Sequence, residues 1–155
     1  QVLDTRKTTP LIRFLEKEAV RIGGGYNHRM GLYDMIMLKD NHIDFAGGIA
    51  EAILQTNQYL KNEKLDLKIE VETRDLREVK EVLKVGQVHR IMLDNFGYTD
   101  LTTAVKLIDG EYETEASGGI NLETVRNYAE CGVDYVSVGA LTHSVHNMDL
   151  SLKAI

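Results

Sequence analysis

Lys68-Ile69-Glu70-Val71, then Asp75-Leu76-Arg77-Glu78-Val79, then Arg90-Ile91-Met92-Leu93: this stretch decides the fold. Its two ends are short β-rich apolar runs of the length expected for buried strands. Between them Leu76, Val79, Val82 and Leu83 recur at helical spacing. Asp75, with Glu78 three residues on, gives a capping-box pattern at the start of that helix. Strand, helix, strand in so short a span implies a right-handed crossover between parallel strands.

The same alternation extends in both directions. Strands read at Gln1–Leu3, Met35–Leu38, Tyr112–Ala116 and Tyr135–Val138, with a last candidate at Asp149–Ile155. Helical stripes read at Leu11, Leu15, Ala19 and Ile22, at Ile49, Ala52, Ile53, Thr56 and Leu60, and at Leu101, Ala104, Val105 and Ile108. A further stripe, Leu122, Val125, Tyr128 and Ala129, lies behind an Asn121 cap. Thr9 is placed to cap the first helix with Pro10 as its first residue, and Gly23-Gly24-Gly25 to stop it. The strands from Lys68 onward begin about 22 residues apart. That regularity suits a βα-barrel better than an open sheet with a switch point. A complete eight-fold barrel takes roughly 250 residues. The expected fold is therefore α/β, an incomplete, open TIM-like βα-barrel with about six to seven parallel strands over residues 1–155. A first residue Gln1, already within a strand, suggests a fragment whose N-terminal part is missing.

Composition narrows the function. The hydrophobic share of 43% and charged share of 27% are ordinary for a soluble globular domain. A net charge of −6 and sparse aromatics argue against a nucleic-acid binder. No apolar run approaches a membrane span, and no signal peptide is seen. Cys131 is the only cysteine, which excludes an internal disulfide and fits a reducing, cytoplasmic location.

If the strands run parallel, their C-terminal ends form one ring, and the ring carries chemistry. The first end contributes Thr5, Arg6 and Lys7, the second Lys39-Asp40-Asn41-His42, the third Glu70-Val71-Glu72 and the fourth Asp94-Asn95. The fifth ends in Glu115-Ala116-Ser117-Gly118-Gly119 and the sixth in Ser137-Val138-Gly139-Ala140, while His28-Arg29 precede the second. The ring divides by sign. Arg6, Lys7, His28, Arg29 and Lys39 suit a polyanion, with Arg offering bidentate contacts to carboxylates. Glu70, Glu72 and Asp94 suit a hard divalent cation or a developing positive charge. Glu70 and Glu72 share a strand face, so both point inward and one can be structural. The two glycine loops and the Asn121 helix start form a phosphate cradle. Gly23-Gly24-Gly25 reads as a turn, and His89 and His146 as surface residues. Read from the residues, the ligands are a phosphate, a second polyanion and Mg²⁺.

Seven segments carry a resemblance to a known family. They are Asp4-Thr5-Arg6-Lys7-Thr8-Thr9-Pro10, Asn27-His28-Arg29-Met30-Gly31-Leu32, Lys39-Asp40-Asn41-His42, Glu70-Val71-Glu72, Leu93-Asp94-Asn95-Phe96, Ala116-Ser117-Gly118-Gly119-Ile120 and Ser137-Val138-Gly139-Ala140-Leu141-Thr142-His143-Ser144. In this order they resemble quinolinate phosphoribosyltransferase, also called nicotinate-nucleotide pyrophosphorylase (carboxylating), over its C-terminal barrel domain. The α/β sandwich that precedes this domain in the family has no counterpart here.

The resemblance implies conversion of quinolinate and phosphoribosyl pyrophosphate to nicotinate mononucleotide, pyrophosphate and CO₂, with Mg²⁺, in de novo NAD synthesis. It implies that Arg6, Arg29 and Lys39 grip the quinolinate carboxylates with His28 beside them, and that Lys7 faces pyrophosphate. Glu72 and Asp94 would hold ribose hydroxyls and Mg²⁺. Thr5 joins the substrate wall, while Ser117, Gly118, Gly119, Gly139, Ala140 and His143 would cradle the 5′-phosphate side. Lys7, Lys39, Glu72 and Asp94 are the expected catalytic set. It further implies a homodimer or higher oligomer, in which the partner's N-terminal domain supplies an arginine. Two alternatives stand beside this. One is a paralogue, nicotinate-specific or molybdenum-transport-associated. A nicotinate enzyme needs fewer cations than Arg6, Arg29 and Lys39, and the Lys39-Asp40-Asn41-His42 run speaks against the molybdenum-linked homologues. The other is a noncatalytic phosphate-metabolite binding module.

Overall fold

The computed structural model describes residues 1–146 and 148–154. In chain order the elements are β1 (Val2–Leu3), α1 (Arg13–Ile22), β2 (Met35–Leu38), α2 (Asp40–Ala46), α3 (Ile49–Glu63), β3 (Lys68–Thr73) and α4 (Leu76–Val85). There follow β4 (Arg90–Asp94), α5 (Tyr98–Ile108), β5 (Glu113–Ser117), α6 (Val125–Glu130), β6 (Tyr135–Ser137) and α7 (Ala140–His143). The six strands form one parallel sheet in the order β1-β6-β5-β4-β3-β2. From β2 to β6 each strand pairs with its successor, and β1 adds beside β6. The two free edges therefore belong to β1 and β2, which are consecutive in sequence. This is an open barrel, as the strand spacing implies.

A short segment occupies the place of a further strand beside β1. The Tyr26 N–H donates to the Val2 carbonyl at 2.9 Å and the Asp4 N–H to the Tyr26 carbonyl at 3.0 Å. A little further on, Arg29 Nη1 reaches the Met35 carbonyl of β2 at 3.1 Å. A side chain, not a strand ladder, spans from this segment to β2.

Alternation along the strands separates two environments. Ile69, Val71, Ile91 and Leu93 are buried against the helices with Ile53, Val79, Val82, Leu101 and Ala104. Their neighbours in sequence, Glu70, Arg90, Met92 and Glu115, face the concave side, where the register sets Glu70 beside Arg90 and Met92 beside Glu115. The apolar core thus lies between sheet and helices, and the inside of the barrel is ionic. A slip of one residue would invert both faces, so this division also pins the register.

The α4 start follows its pattern with one variation. Asp75 Oδ1 accepts from the N–H groups of Arg77 and Glu78, both at 2.9 Å. The reciprocal Glu78 carboxylate accepts from the Arg74 N–H at 2.7 Å, one residue earlier than a capping box requires. Asn121 Oδ1 accepts from Glu123 and Thr124 N–H groups in a turn that precedes α6. Val125 and Tyr128 pack on the core, whereas Leu122 and Ala129 are exposed.

Three expectations need correction. The Leu11, Leu15, Ala19, Ile22 stripe does not face the core: Leu11 is 102%, Leu15 63% and Ile22 79% exposed. The side chains that α1 buries are Lys17 and Val20, because the buried Asp4 carboxylate draws the Lys17 ammonium in to 2.5 Å. Thr9 does not cap this helix, which starts at Arg13 after Leu11 turns at φ 70°. The Thr9 N–H is taken instead by Glu16 Oε2 at 2.8 Å. The strand expected at Asp149–Ile155 is absent from 149–154, where Leu150 and Leu152 are exposed and no sheet edge meets them. Ile155 lies outside the described residues.

These assignments predict opposite outcomes at neighbouring positions. Lys17→Ala leaves Asp4 charged and unpaired in the interior, so it costs about 3–5 kcal/mol in urea unfolding. Leu15→Lys in the 155-residue chain changes stability by less than about 0.5 kcal/mol. The reverse ranking would restore the apolar stripe as the buried face of α1.

Candidate active site

A cavity of about 660 Å³ opens at the C-terminal ends of the strands. Thr5, Arg6 and Lys7 line it after β1, Lys39 after β2, Glu72 from β3 and Asp94 at the end of β4. Ser117, Gly118 and Gly119 line it at β5, and Gly139, Ala140 and His143 after β6. His28 and Arg29 enter from the segment between α1 and β2. Of the residues singled out from the strand ends, Glu70, the Asp40-Asn41-His42 run and Val71, Ala116 and Val138 do not line this cavity; the others do. His89 and His146 lie outside it and are exposed.

One wall is cationic. Among the described residues Arg6, Lys7 and Arg29 have no salt-bridge partner. Burial, and then the Arg6 charge beside it, lower the Arg29 pKa from its ordinary value. Two guanidinium groups held close without an anion repel each other, and a bound carboxylate relieves that repulsion. Lys7 is held by its backbone, its N–H on Thr5 Oγ1 at 3.1 Å and its carbonyl on Thr142 Oγ1 at 2.7 Å. Lys39 differs: its Nζ lies 2.9 Å from Glu72 Oε2. The basic and acidic sectors therefore meet at this pair, which is partly exposed and readily exchanged for a ligand.

The opposite wall is backbone. Gly118 sits at φ 99° and Gly119 at φ 61°, both left-handed. A Cβ on Gly118 would fall 2.6 Å from Asn95 Cγ and 2.8 Å from Asn95 N. Asn95, itself at φ 57°, donates its N–H to the Ser117 carbonyl at 2.9 Å and its Nδ2 to Asp94 Oδ2 at 2.6 Å. Asn95 thus joins the glycine loop to the acidic sector. Gly119 has open space where a side chain would be, which leaves its backbone accessible to an oxyanion.

The floor is a buried ionic cluster. His28 Nε2 lies 3.0 Å from Glu70 Oε2 and 3.2 Å from Glu115 Oε2, and both carboxylates are fully buried. Arg90 Nη1 reaches Glu115 Oε2 at 2.8 Å, while its Nη2 reaches Glu113 at 3.0 Å and its guanidinium stacks over Tyr135. Of the two inward glutamates, Glu72 lines the cavity and Glu70 lies in this floor. His28, Glu70 and Glu115 are close enough to share a metal ion. Two features oppose that. The Arg29 N–H donates to His28 Nδ1 at 2.8 Å, so Nδ1 offers its lone pair there and Nε2 carries the proton. Arg90 already neutralises Glu115.

Burial lowers the His28 pKa, but the Glu115 and Glu70 contacts outweigh it and raise it to about 9. Full protonation of the ring would turn an Nδ1–H against the Arg29 N–H. The extra proton is better placed on Glu70, whose pKa burial raises. Glu115 shifts down despite burial because His28 and Arg90 face it. The buried part of the cluster, His28, Glu70, Glu115 and Arg90, is then neutral, as a dry site demands, while the partly exposed Glu113 keeps its charge toward water. Sequence reading placed Glu115 at a strand end without giving it a role of its own, and gave Arg90 none. The available signal was the row of alternating charges in otherwise apolar strands: Lys68, Glu70 and Glu72 in β3, and Glu113 and Glu115 in β5.

Comparison with known proteins gives a consistent picture. The family model described as quinolinate phosphoribosyl transferase, C-terminal domain, matches residues 1–153. The chloroplastic nicotinate-nucleotide pyrophosphorylase [carboxylating] of Arabidopsis thaliana is 52% identical over 98% of this chain and 48% of its own length. A probable nicotinate-nucleotide pyrophosphorylase [carboxylating] of Bacillus subtilis is 45% identical over 98% of this chain and 51% of its own. The crystal structure of NadC from Streptococcus pyogenes superposes with a TM-score of 0.91 at 45% identity, covering 99% of this chain and 53% of that one. The chain spans about half the length of the relatives it matches.

Gly118→Ala tests the glycine wall. The left-handed φ and the approach to Asn95 predict a loss of about 1–3 kcal/mol in thermal unfolding. Phosphate-ester binding should weaken along with it, and an unchanged protein would show that the loop has slack.

Proposed function

The chain belongs to the family of the quinolinate phosphoribosyl transferase C-terminal domain, and on that premise we propose that its cavity is the site of phosphoribosyl transfer to quinolinate. Quinolinate and phosphoribosyl pyrophosphate react to nicotinate mononucleotide, pyrophosphate and CO₂, a step of de novo NAD synthesis. One observation carries the reading: Arg6, Lys7 and Arg29, which have no carboxylate partner among the described residues, line a single cavity together with Glu72, Asp94 and a glycine loop.

Each wall has a task in this chemistry. Arg6, Arg29 and Lys39 hold the two carboxylates and so aim the pyridine nitrogen at the ribose C1, converting an encounter into a positioned step. Lys39 leaves Glu72 as it takes up a carboxylate, which frees Glu72 for the sugar. As the C1–pyrophosphate bond breaks, positive charge develops on the ribose and Glu72 and Asp94 stabilise it. Lys7 takes the departing charge. Ser117, Gly118, Gly119, Gly139, Ala140 and His143 hold the 5′-phosphate. The new N–C1 bond makes the ring nitrogen cationic, so the adjacent carboxylate leaves as CO₂ with its bonding pair retained on the ring carbon, which solvent then protonates.

Mg²⁺ fits the donor set. It is commonly held by one or two carboxylates together with substrate phosphates, and Glu72 and Asp94 offer two hard oxygen donors on adjacent strands. When bound there it would neutralise charge on the pyrophosphate. The exposed apolar face of α1, with Phe14, Leu15 and Ile22 in solvent and Leu11 exposed just ahead of it, supports a homo-oligomer. Among the described residues no helix is long and apolar enough to cross a membrane, and the single Cys131 supports a cytoplasmic location.

CO₂ release from carboxyl-labelled quinolinate, with nicotinate mononucleotide as co-product, tests the reading. Lys39→Ala and Glu72→Ala should each lower kcat/KM about 10²–10³-fold. The 155-residue chain by itself should bind phosphate compounds weakly and turn over little. Binding of phosphoribosyl pyrophosphate with no CO₂ release from the full-length protein would point to a noncatalytic phosphate-metabolite module instead.

A further inference from the structure

Glu70 and Glu115 stand out because a fully buried carboxyl group normally has its oxygens hydrogen-bonded. Here both oxygens of Glu70, Glu115 Oε1 and His28 Nε2 lack an aligned hydrogen-bond partner, although His28 Nε2 lies within 3.0 Å of Glu70 Oε2 and 3.2 Å of Glu115 Oε2. None of these groups is needed to fold a parallel sheet, since apolar side chains fill the inside of comparable barrels. Retaining them costs stability, so a function other than packing is the natural account.

We propose that Glu70, Glu115 and Arg90 are positioning residues that fix the His28 ring and, through it, set Arg29 for the carboxylated substrate. The chain of contacts is continuous. Arg90 Nη1 holds Glu115 at 2.8 Å. Glu115 and Glu70 flank His28 Nε2 on the protonated side of the ring. On the other side, His28 Nδ1 accepts the Arg29 N–H at 2.8 Å. Arg29 Nη1 is fixed on the Met35 carbonyl at 3.1 Å, which leaves the rest of the guanidinium facing the cavity and Met37 Sδ. With Nε2 protonated and set among the glutamates, the ring can present only a lone pair to Arg29. Rotation of the ring would place a carboxylate against a lone pair and an N–H against an N–H. The arrangement therefore permits one orientation of the His28-Arg29 peptide. This deepens the reading of the cavity as a quinolinate site and rests on it.

The decisive variant is Glu70→Leu, which keeps volume and removes the acceptor, set against Glu70→Gln, which keeps an acceptor oxygen. In the full-length enzyme Glu70→Leu should raise the KM for quinolinate about ten-fold, leave that for phosphoribosyl pyrophosphate within about two-fold, and be rescued by Glu70→Gln. Equal losses for both substrates, or no rescue by Gln, would show Glu70 to be structural and overturn the proposal. A second measurement needs neither turnover nor a folded variant: ¹⁵N chemical shifts of His28 in the unmodified protein at neutral pH. They should report a proton on Nε2 and none on Nδ1. A proton on Nδ1 overturns the proposal whatever the substrate. An absence of quinolinate turnover alongside the expected His28 shifts would instead count against the functional reading.

Discussion

Asp4 ends the first strand, is fully buried, and accepts three hydrogen bonds that hold the site together. Lys17 Nζ from α1 lies 2.5 Å from Oδ1, Asn27 Nδ2 lies 2.7 Å from Oδ2 and the His28 N–H lies 2.8 Å from Oδ1. The Lys17 ammonium also reaches the Arg29 carbonyl at 3.3 Å. A buried ion pair offsets its desolvation only when its remaining valences are filled, and here they are. Arg6 and Lys7 follow Asp4 after Thr5, while the His28-Arg29 segment is held to it by the His28 N–H. One carboxylate thus brings two cationic segments, separated by a helix in sequence, to one wall of the cavity.

That arrangement inverts the usual distribution of a parallel barrel. Most buried apolar side chains lie in the seam between sheet and helices, while the concave face carries charge beside Met37 and Met92. The consequence is a site whose floor and walls are continuous. The register pairs Glu70 with Arg90, then Glu72 with Met92 and Met92 with Glu115, and sets Asp94 beside Ser117, so one ladder places the buried cluster and the cavity lining together. Fold and site chemistry are then two readings of the same alternation.

Much of this was legible in the sequence because the signals were local. Strand positions, the Asp75 cap and the glycine loops depend on neighbours within a few residues. The cavity residues were legible because parallel topology converts strand ends into a ring. Three readings failed where a distant partner decided. The α1 stripe looked like a core face, yet Lys17 is the side chain drawn inward, because periodicity treats every lysine as solvated and cannot see Asp4. Thr9 had the chemistry of a cap, but the chain turns at Leu11 and the helix starts only at Arg13, out of its reach. The Asp149–Ile155 alternation resembled a strand, but a strand needs an edge to join, and position along the chain does not supply one. Arg90 and the role of Glu115 escaped notice for a related reason: their meaning lies in pairing across strands β4 and β5, not in spacing along either one.

The gap between β1 and β2 bears on the mechanics of the molecule. A seam between two strands opens only when several ladder bonds break together. The seam here is bridged by the Arg29 guanidinium, which opens with a single rotamer change. The residue that closes the ring is also the one that faces the ligand. Occupancy of the cavity and stiffness of the barrel are therefore set by the same side chain, and filling the site is mechanically equivalent to fastening a clasp.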